Sequence, residues 1–517
     1  MKRKLKWDES IGILFFLISF GMLAFSVYFC FSSDIWYDEL FTMGLADQSC
    51  GGLISMTARD VHPPLYYLIV KLFLTGVSGG SRLQQVMAAK LASCFPFFLC
   101  ILFSMYKIRK NFGMLTAGLF SFLLMSMPQM ADYTVEIRMY GYAILFITVG
   151  IVTAYELYRE NRISGWILLT ICALSACYTH YFACVAACMI YLCLFVSICY
   201  GKKLRQMIKP YLLSSMVCVL GYLPWLLMVV TKQASQVKEN YWIQPVSLRT
   251  LAGCVKFIFM PEFGGEKAGM MIACIFFAIY GLAVATGLFV MIRKRKADEK
   301  ILFAFEGILV LVGVVLFGMM VSIMIKPIFI YRYMLSAMGA FWLSFAVLLG
   351  MEKKKKAAVI PILLFLGVIG IANFRSFYGE EMWKKLQMEK ALCELSEIES
   401  EDIILYNFDQ AQGVASFYLS NETYLWYERT EELIQEMFPD NHTLVEGEFT
   451  DEKGTARIKE LLEEGRTLWF LGSGNAREEI LDKWKAEGIL SEEKASVMIE
   501  RYWMNLYRIT GRQRCRD

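Results

Sequence analysis

The sequence predicts a polytopic α-helical membrane protein of about eleven spans, carrying a C-terminal soluble α/β domain. Three observations predict it. Hydrophobic residues make up 57 % of the 517 residues and charged residues only 19 %. Long apolar runs recur along the first three quarters of the chain, each near the length that crosses a bilayer. After about Ala372 the composition turns into that of an ordinary soluble protein. Too little charge is present to coat this much apolar side chain in water, which excludes a wholly soluble protein, a disordered chain and a disulfide scaffold. Most of the 15 cysteines lie inside apolar runs and act there as small hydrophobes.

The expected spans are Ile11–Phe31, Val86–Tyr106, Phe112–Met127, Met139–Tyr158, Gly165–Tyr178, Tyr181–Tyr200, Tyr211–Val230, Met270–Ile292, Ile301–Ile325, Tyr333–Gly350 and Ala357–Ala372. Basic clusters fall at every second loop: Lys2–Lys6, Lys107–Lys110, Arg159–Arg162, Gly201–Lys209, Arg293–Lys296 and Lys353–Lys356. The excess of Lys and Arg marks the cytoplasmic side. The N-terminus is then cytoplasmic and the C-terminal domain extracytoplasmic, in a multi-pass protein of the plasma membrane. The expected division is a transmembrane module over 1–231 with an outer loop 32–85, an outer loop and later spans over 232–374, and a soluble domain over 375–517. In that last part, strand-like runs (Asp402–Phe408, Glu422–Tyr427, Thr467–Gly472) alternate with amphipathic stretches (Glu431–Met437, Ala456–Glu464), the signature of an α/β domain.

Polar groups at the outer ends of spans need a reason to be there. Trp36–Glu39 (W-Y-D-E) puts two carboxylates among aromatics just after the first span. A carboxylate in a partly dry site can take a proton from an attacking hydroxyl; the same residues also suit a solvated interfacial loop. Arg59–Tyr67 (R-D-V-H-P-P-L-Y-Y) places Asp60 and His62 before two prolines and a run, Leu65–Leu74, too short to span, which reads as a helix lying at the interface. Tyr133–Tyr140 (Y-T-V-E-I-R-M-Y) is expected to put Glu136 and Tyr140 on one helix face with Arg138 round the side. An arginine there matches phosphate oxygens, although a local ion pair is an equal reading. His180, in Tyr178–Tyr181, is one of three histidines in the chain. Tyr241–Pro245 and Tyr331–Tyr333 add aromatics and Arg332. The Leu471–Asn475 turn (L-G-S-G-N) resembles a nucleotide-binding turn, but without the third glycine or the lysine it reads as a plain strand-to-helix connection.

This ordered set, W-Y-D-E, D-V-H-P-P-L-Y-Y, E-I-R-M-Y, T-H-Y-F, L-P-W (Leu223–Trp225), Y-W-I and R-Y, resembles the bacterial dolichyl-phosphate-mannose-protein mannosyltransferase-like family. These are C-type membrane glycosyltransferases, a group that includes the aminoarabinose transferase of lipid A. The likeness runs from about Trp36 to Tyr333. It implies a C-type architecture, a polyprenyl-phosphate sugar donor, and transfer at the outer leaflet to a protein, glycolipid or cell-wall polymer. By that resemblance the chemistry falls to Asp38, as base, with Glu39 and Glu136. The donor phosphate and sugar fall to Arg138, Tyr140, His62, Asp60, His180, Arg332 and Tyr333. A divalent metal on Asp60 and His62 is an open option, because some relatives hold one near this loop while the aminoarabinose branch has a basic residue at the histidine position. Membrane lipid is a partner and nucleic acid is not. The alternative from another class is a transporter or flippase of a polyisoprenoid-linked glycan. Such proteins often show paired repeats with broken helices, and no internal repeat stands out here.

Overall fold

Inside a bilayer no water is available to the backbone, so an apolar run must close its own hydrogen bonds as a helix. The computed structural model of the chain describes residues 6–236, 243–294, 298–426, 432–439, 441–445 and 451–511. Of the stretches named above, Lys2–Leu5, Tyr241, Trp242, Arg295, Lys296, Tyr427 and Glu431 lie outside them. Among the described residues nine helices are long and apolar enough to cross a membrane, from Trp7–Phe29 to Lys356–Leu395. The expected spans at Phe112–Met127 and Gly165–Tyr178 are shorter apolar helices, Met114–Ser126 and Ile163–Thr179. The chain is a multi-pass membrane protein. Leu65–Thr75 is helical over 11 residues, too few to span.

The residues divide into two compact units. One comprises Met1–Cys30, Cys50–Val70 and Lys90–Gly379; the other comprises Phe31–Ser49, Lys71–Ala89 and Glu380–Asp517. The loop 32–85 is thus shared between them.

The first unit is the helical one. Tyr140–Glu160 and Tyr331–Met351 bury 83 % and 89 % of their apolar windows, so they form its interior. Leu204–Val229 and Gly265–Arg293 bury 11 % and 17 % and turn exposed side chains such as Leu220, Leu227, Phe277 and Phe289 outward, as lipid-facing helices do. Small residues set the closest approach. Gly12 and Gly118 face each other where the Trp7–Phe29 and Met114–Ser126 helices cross, backbone against backbone. Rings fill the rest: Tyr280 and Phe341 stack with centroids 4.5 Å apart and planes 6° apart.

Hydropathy alone ends the last span near Ala372, but one 40-residue helix runs through Lys356–Leu395. The sequence after Ala372 holds neither proline nor a helix-ending glycine motif before Leu395, so loss of apolarity does not stop the helix.

The second unit is a six-stranded sheet with helices. Its strands are β1 Ile403–Tyr406, β2 Glu422–Trp426, β3 Asn441–Val445, β4 Leu468–Gly472, β5 Ile489–Ile499 and β6 Tyr502–Gly511, in the order β3-β2-β1-β4-β6-β5. The first four are parallel, while β6 runs antiparallel to β4 and β5. The buried Ile403, Leu405, Trp426, Phe470, Trp484 and Ile509 form its core. The Leu471–Asn475 turn is a plain strand-to-helix connection: Asn407 bonds both the amide and the carbonyl of Ser473, and the Gly474–Ala486 helix follows.

Candidate functional site

In the helical unit, short loops at span ends gather most of the polar residues expected from the sequence. Two prolines force residues 62–64 out of helix and deliver His62 beside Asp60, with 3.5 Å between Nδ1 and Oδ2. The His62 ring lies 5.4 Å from that of His180. His180 occupies the turn between Ile163–Thr179 and Tyr181–Tyr200, where its Nδ1 accepts the Phe182 amide at 3.1 Å and caps the second helix. Tyr140 lies 5.4 Å from His180 on another side, and Tyr333 5.0 Å on a third. Phe182 stacks on Tyr333 at 4.6 Å, and Tyr133 meets Tyr140 edge-on at 4.9 Å.

The charges belong to the same cluster. His180 is fully enclosed; burial, and then His62, Arg138 and Arg332, hold its pKa well below the usual histidine value. It is therefore neutral, with its proton on Nε2. Burial, and then Glu136 and Tyr140, push the Tyr133 phenol up, against the pull of Arg332. Arg138 and His62 are buried, and Arg332 and Asp60 are half-buried. Asp60, His62, Glu136, Arg138, Tyr140, His180, Arg332 and Tyr333 thus assemble around one spot. Two guanidinium groups in a place shielded from water attract an anion.

One expectation is corrected. Glu136 and Tyr140 do not share a helix face, because the helix starts at Tyr140. Ahead of it lie a short 3-10 turn, Asp132–Thr134, and a tight reversal in which the Arg138 amide reaches the Glu136 carbonyl at 2.7 Å. The offset of four residues carries no facing relationship outside a helix.

Asp60 and His62 supply two metal donors. Among the described residues no group of three or more His, Cys, Asp or Glu is placed to hold a metal ion. A divalent cation on these two donors would take its remaining ligands from water or a bound phosphate.

The acid pair belongs to the second unit. Asp38 and Glu39 occupy the first turn of the Tyr37–Asp47 helix. Glu39 is 3 % exposed and folds back so that its carboxylate accepts the Trp36 amide at 3.0 Å, the reciprocal arm of a capping box. Asp38 is half-buried one residue earlier. The pair is held from the C-terminal part of the chain. The Tyr418 hydroxyl donates to the Ser33 carbonyl. Glu500 accepts the Tyr37 amide at 3.1 Å, and the Arg501 guanidinium lies 4.8 Å over the Trp36 ring. Sequence reasoning missed Glu500 and Arg501. No turn signal marked them, because Glu-Arg is not among the residue pairs that favour a two-residue hairpin.

No family model matches the sequence, and no curated protein matches it. Among solved structures the chain is similar to ArnT from Cupriavidus metallidurans. The crystal structure in the apo state superposes with a TM-score of 0.60 at 11 % identity, covering 96 % of this chain and 97 % of that one. The crystal structure bound to undecaprenyl phosphate gives 0.59 at 11 % identity, with the same coverage of 96 % and 97 %. The likeness is one of fold and extends over nearly all of both chains. The polytopic helical architecture with a C-terminal α/β domain expected from the sequence is the one observed, in a fold shared with ArnT.

Proposed function

We propose that this protein is a membrane glycosyltransferase that moves one sugar from a polyprenyl-phosphate donor to an acceptor hydroxyl, with inversion. One observation carries the reading: two arginines, two histidines and three tyrosines meet at loop ends of a multi-pass fold shared with ArnT. A structure of that neighbour holds undecaprenyl phosphate.

The chemistry asks for two things from the chain. A phosphate must be held and then accept charge as it leaves. Arg138 and Arg332 do this, since guanidinium groups match phosphate oxygens and act strongly where water is excluded. The Nε2–H of neutral His180 adds a donor without adding charge, and the rings of Tyr140 and Tyr333 offer flat faces to a sugar. A proton must also leave the acceptor. Asp38 takes it, by the resemblance of W-Y-D-E to the mannosyltransferase-like family. The acceptor oxygen then bonds the anomeric carbon, and the bond from that carbon to the phosphate oxygen breaks. Its electron pair departs with polyprenyl phosphate, and a single displacement inverts the centre. Glu136, the second acidic position of the resemblance, sits among the arginines and tempers their charge. Glu39 acts on the helix that carries Asp38 through its cap.

The basic loops orient the N-terminus toward the cytoplasm, which puts transfer and the second unit on the outer face of the plasma membrane. The acceptor is a protein, a glycolipid or a cell-wall polymer.

Asp38→Asn protein, purified in mild detergent so that bound donor is not consumed, tests the reading. Mass spectrometry of the retained lipid should show polyprenyl phosphate bearing one sugar. A lipid diphosphate bearing an oligosaccharide would favour a flippase instead. Undiminished transfer by Asp38→Asn would remove Asp38 as the base.

A further inference from the structure

The tip of the β5–β6 hairpin is unusual in its backbone. Glu500 and Arg501 both adopt left-handed conformations, with φ of 52° and 64°. Two such residues in succession fit the twist of a two-residue hairpin, but Asn and Gly are the usual occupants because a side chain there meets its own carbonyl. Strained positions that persist tend to mark functional places. Here the two side chains reach the acid-bearing helix. Glu500 is 6 % exposed with its carboxylate on the Tyr37 amide, and Arg501 covers the Trp36 ring.

The location has a topological logic. Register pairs Gly472, the last residue of β4, with Asn505, so the start of β6 and the hairpin tip project beyond the carboxyl end of the parallel strands. Open α/β sheets bind their ligands at that edge. In this chain the Tyr37 amide reaches the hairpin tip through Glu500, while residues 33–40 run along the Asp409–Tyr418 helix. Ser33 accepts from Tyr418, and Leu40 packs on Gly413, where an added Cβ would come within 2.7 Å of it.

We infer that Glu500 and Arg501 are positioning residues for Asp38, the hairpin tip clamping the amino end of the Tyr37–Asp47 helix through the Tyr37 amide and the Trp36 ring. The inference rests on the proposed role of Asp38. Tyr37 carries one of the amides that a helix start leaves without an internal partner, and a carboxylate is the strongest acceptor for it. Asp38 follows directly in sequence, so loosening that anchor displaces its carboxylate, and a misplacement of about 1 Å is enough to cost about a hundredfold in rate. The groups facing Glu500 are Arg501, Asp38 and Asp409. Behind Arg501 stand Lys384 and its partners Glu380 and Glu381. Burial first, then Asp38 and Asp409, raise the Glu500 pKa to about 7 against the Tyr37 amide and Arg501. Glu500 thus gains its charge, and its tightest grip on Tyr37, as pH rises through neutrality.

The test uses full-length protein in lipid nanodiscs, the donor lipid recovered from the Asp38→Asn protein, and undecaprenyl phosphate as the binding probe. Glu500→Ala and Arg501→Ala should lower kcat at least tenfold while undecaprenyl phosphate affinity stays within twofold. Glu500→Gln keeps an acceptor for Tyr37 but cannot ionise. It should retain a large part of kcat and lose the rise in kcat near pH 7 that is expected of the parent. Parental kcat in both alanine variants, or a Glu500→Gln pH profile superimposable on the parent's, overturns the inference. If alanine at 500 impairs folding, the glutamine profile decides alone. Full activity in Asp38→Asn, by contrast, sinks the base assignment whatever the hairpin variants do.

Discussion

The Phe182 amide donates to Nδ1 of His180 at 3.1 Å, and that bond fixes which ring nitrogen carries the proton. Enclosure and the neighbouring His62, Arg138 and Arg332 hold the ring neutral. With three histidines in the sequence, nitrogen-15 histidine labelling gives a spectrum simple enough to assign. His180 should show the neutral Nε2–H form throughout pH 6–8, charging only well below the usual histidine range. His180→Ala should reduce transfer about tenfold, the worth of one good hydrogen bond at roughly 1.4 kcal/mol. A His180 that titrates normally would contradict the enclosed site.

Arg138 is buried within the aromatic cluster, and Arg332 is half-buried at its edge. Arg138→Ala should weaken undecaprenyl phosphate binding about tenfold to a hundredfold, as expected for a charge-assisted contact worth about 1.5–3 kcal/mol. Arg332→Ala should cost less, because water partly screens it. The double variant should fall short of the sum, since both cations act on one anion. Equal affinities across the series, read by fluorescence or calorimetric titration, would remove the phosphate site from this place.

Gly118 meets the Gly12 carbonyl so closely that an added Cβ would lie inside the oxygen's van der Waals envelope. Backbone cannot yield as a flexible side chain does. Gly118→Val should therefore separate the two helices, with a loss of several kcal/mol typical of severe overpacking. The measurement is the midpoint of thermal unfolding in detergent, with Gly21→Ala as the control, where nothing lies within 4 Å.

Glu500 binds its proton more tightly folded than unfolded, with a pKa of about 7 against 4.5. The folded state then holds more protons between those values, so stability must fall as pH rises through that window. The stabilisation is fully present below about pH 4.5 and lost above about pH 7, to the extent of about 2–3 kcal/mol once partial solvent access is allowed for. Glu500→Gln should flatten this slope in urea unfolding of the full-length protein, followed by a probe in the sheet. A slope that survives the substitution would assign the effect to other groups.

Much of the helical unit was legible because lipid leaves the backbone few choices, and runs such as Ile301–Ile325 announce themselves. The end of the last helix was not legible, since helix propensity continues after hydropathy fades at Ala372. The Glu136–Tyr140 relationship was misread because the periodicity of a helix was applied one turn too early, across a reversal set by the backbone itself. The gathering of His62, His180, Arg138 and Arg332 followed from motif order and the alternation of spans, which sort every second loop to one side. Glu500 was invisible as a partner of Tyr37. No local pattern connects residues so far apart, and the left-handed Glu-Arg turn defies the preference that would have flagged it.

That separation has a cost in time. Tyr37 and Glu500 stand 463 positions apart. At synthesis rates of about 5–20 residues per second, the amino end of the acid-bearing helix waits roughly 20–90 s for the residue that anchors it. During that interval the spans can be inserted one after another while the W-Y-D-E segment lacks its clamp. A chain interrupted between Leu395 and the hairpin would reach the membrane with its long helices but without the acceptor of the Tyr37 amide. Synthesis of the last hairpin is what supplies the partner of the Tyr37 amide.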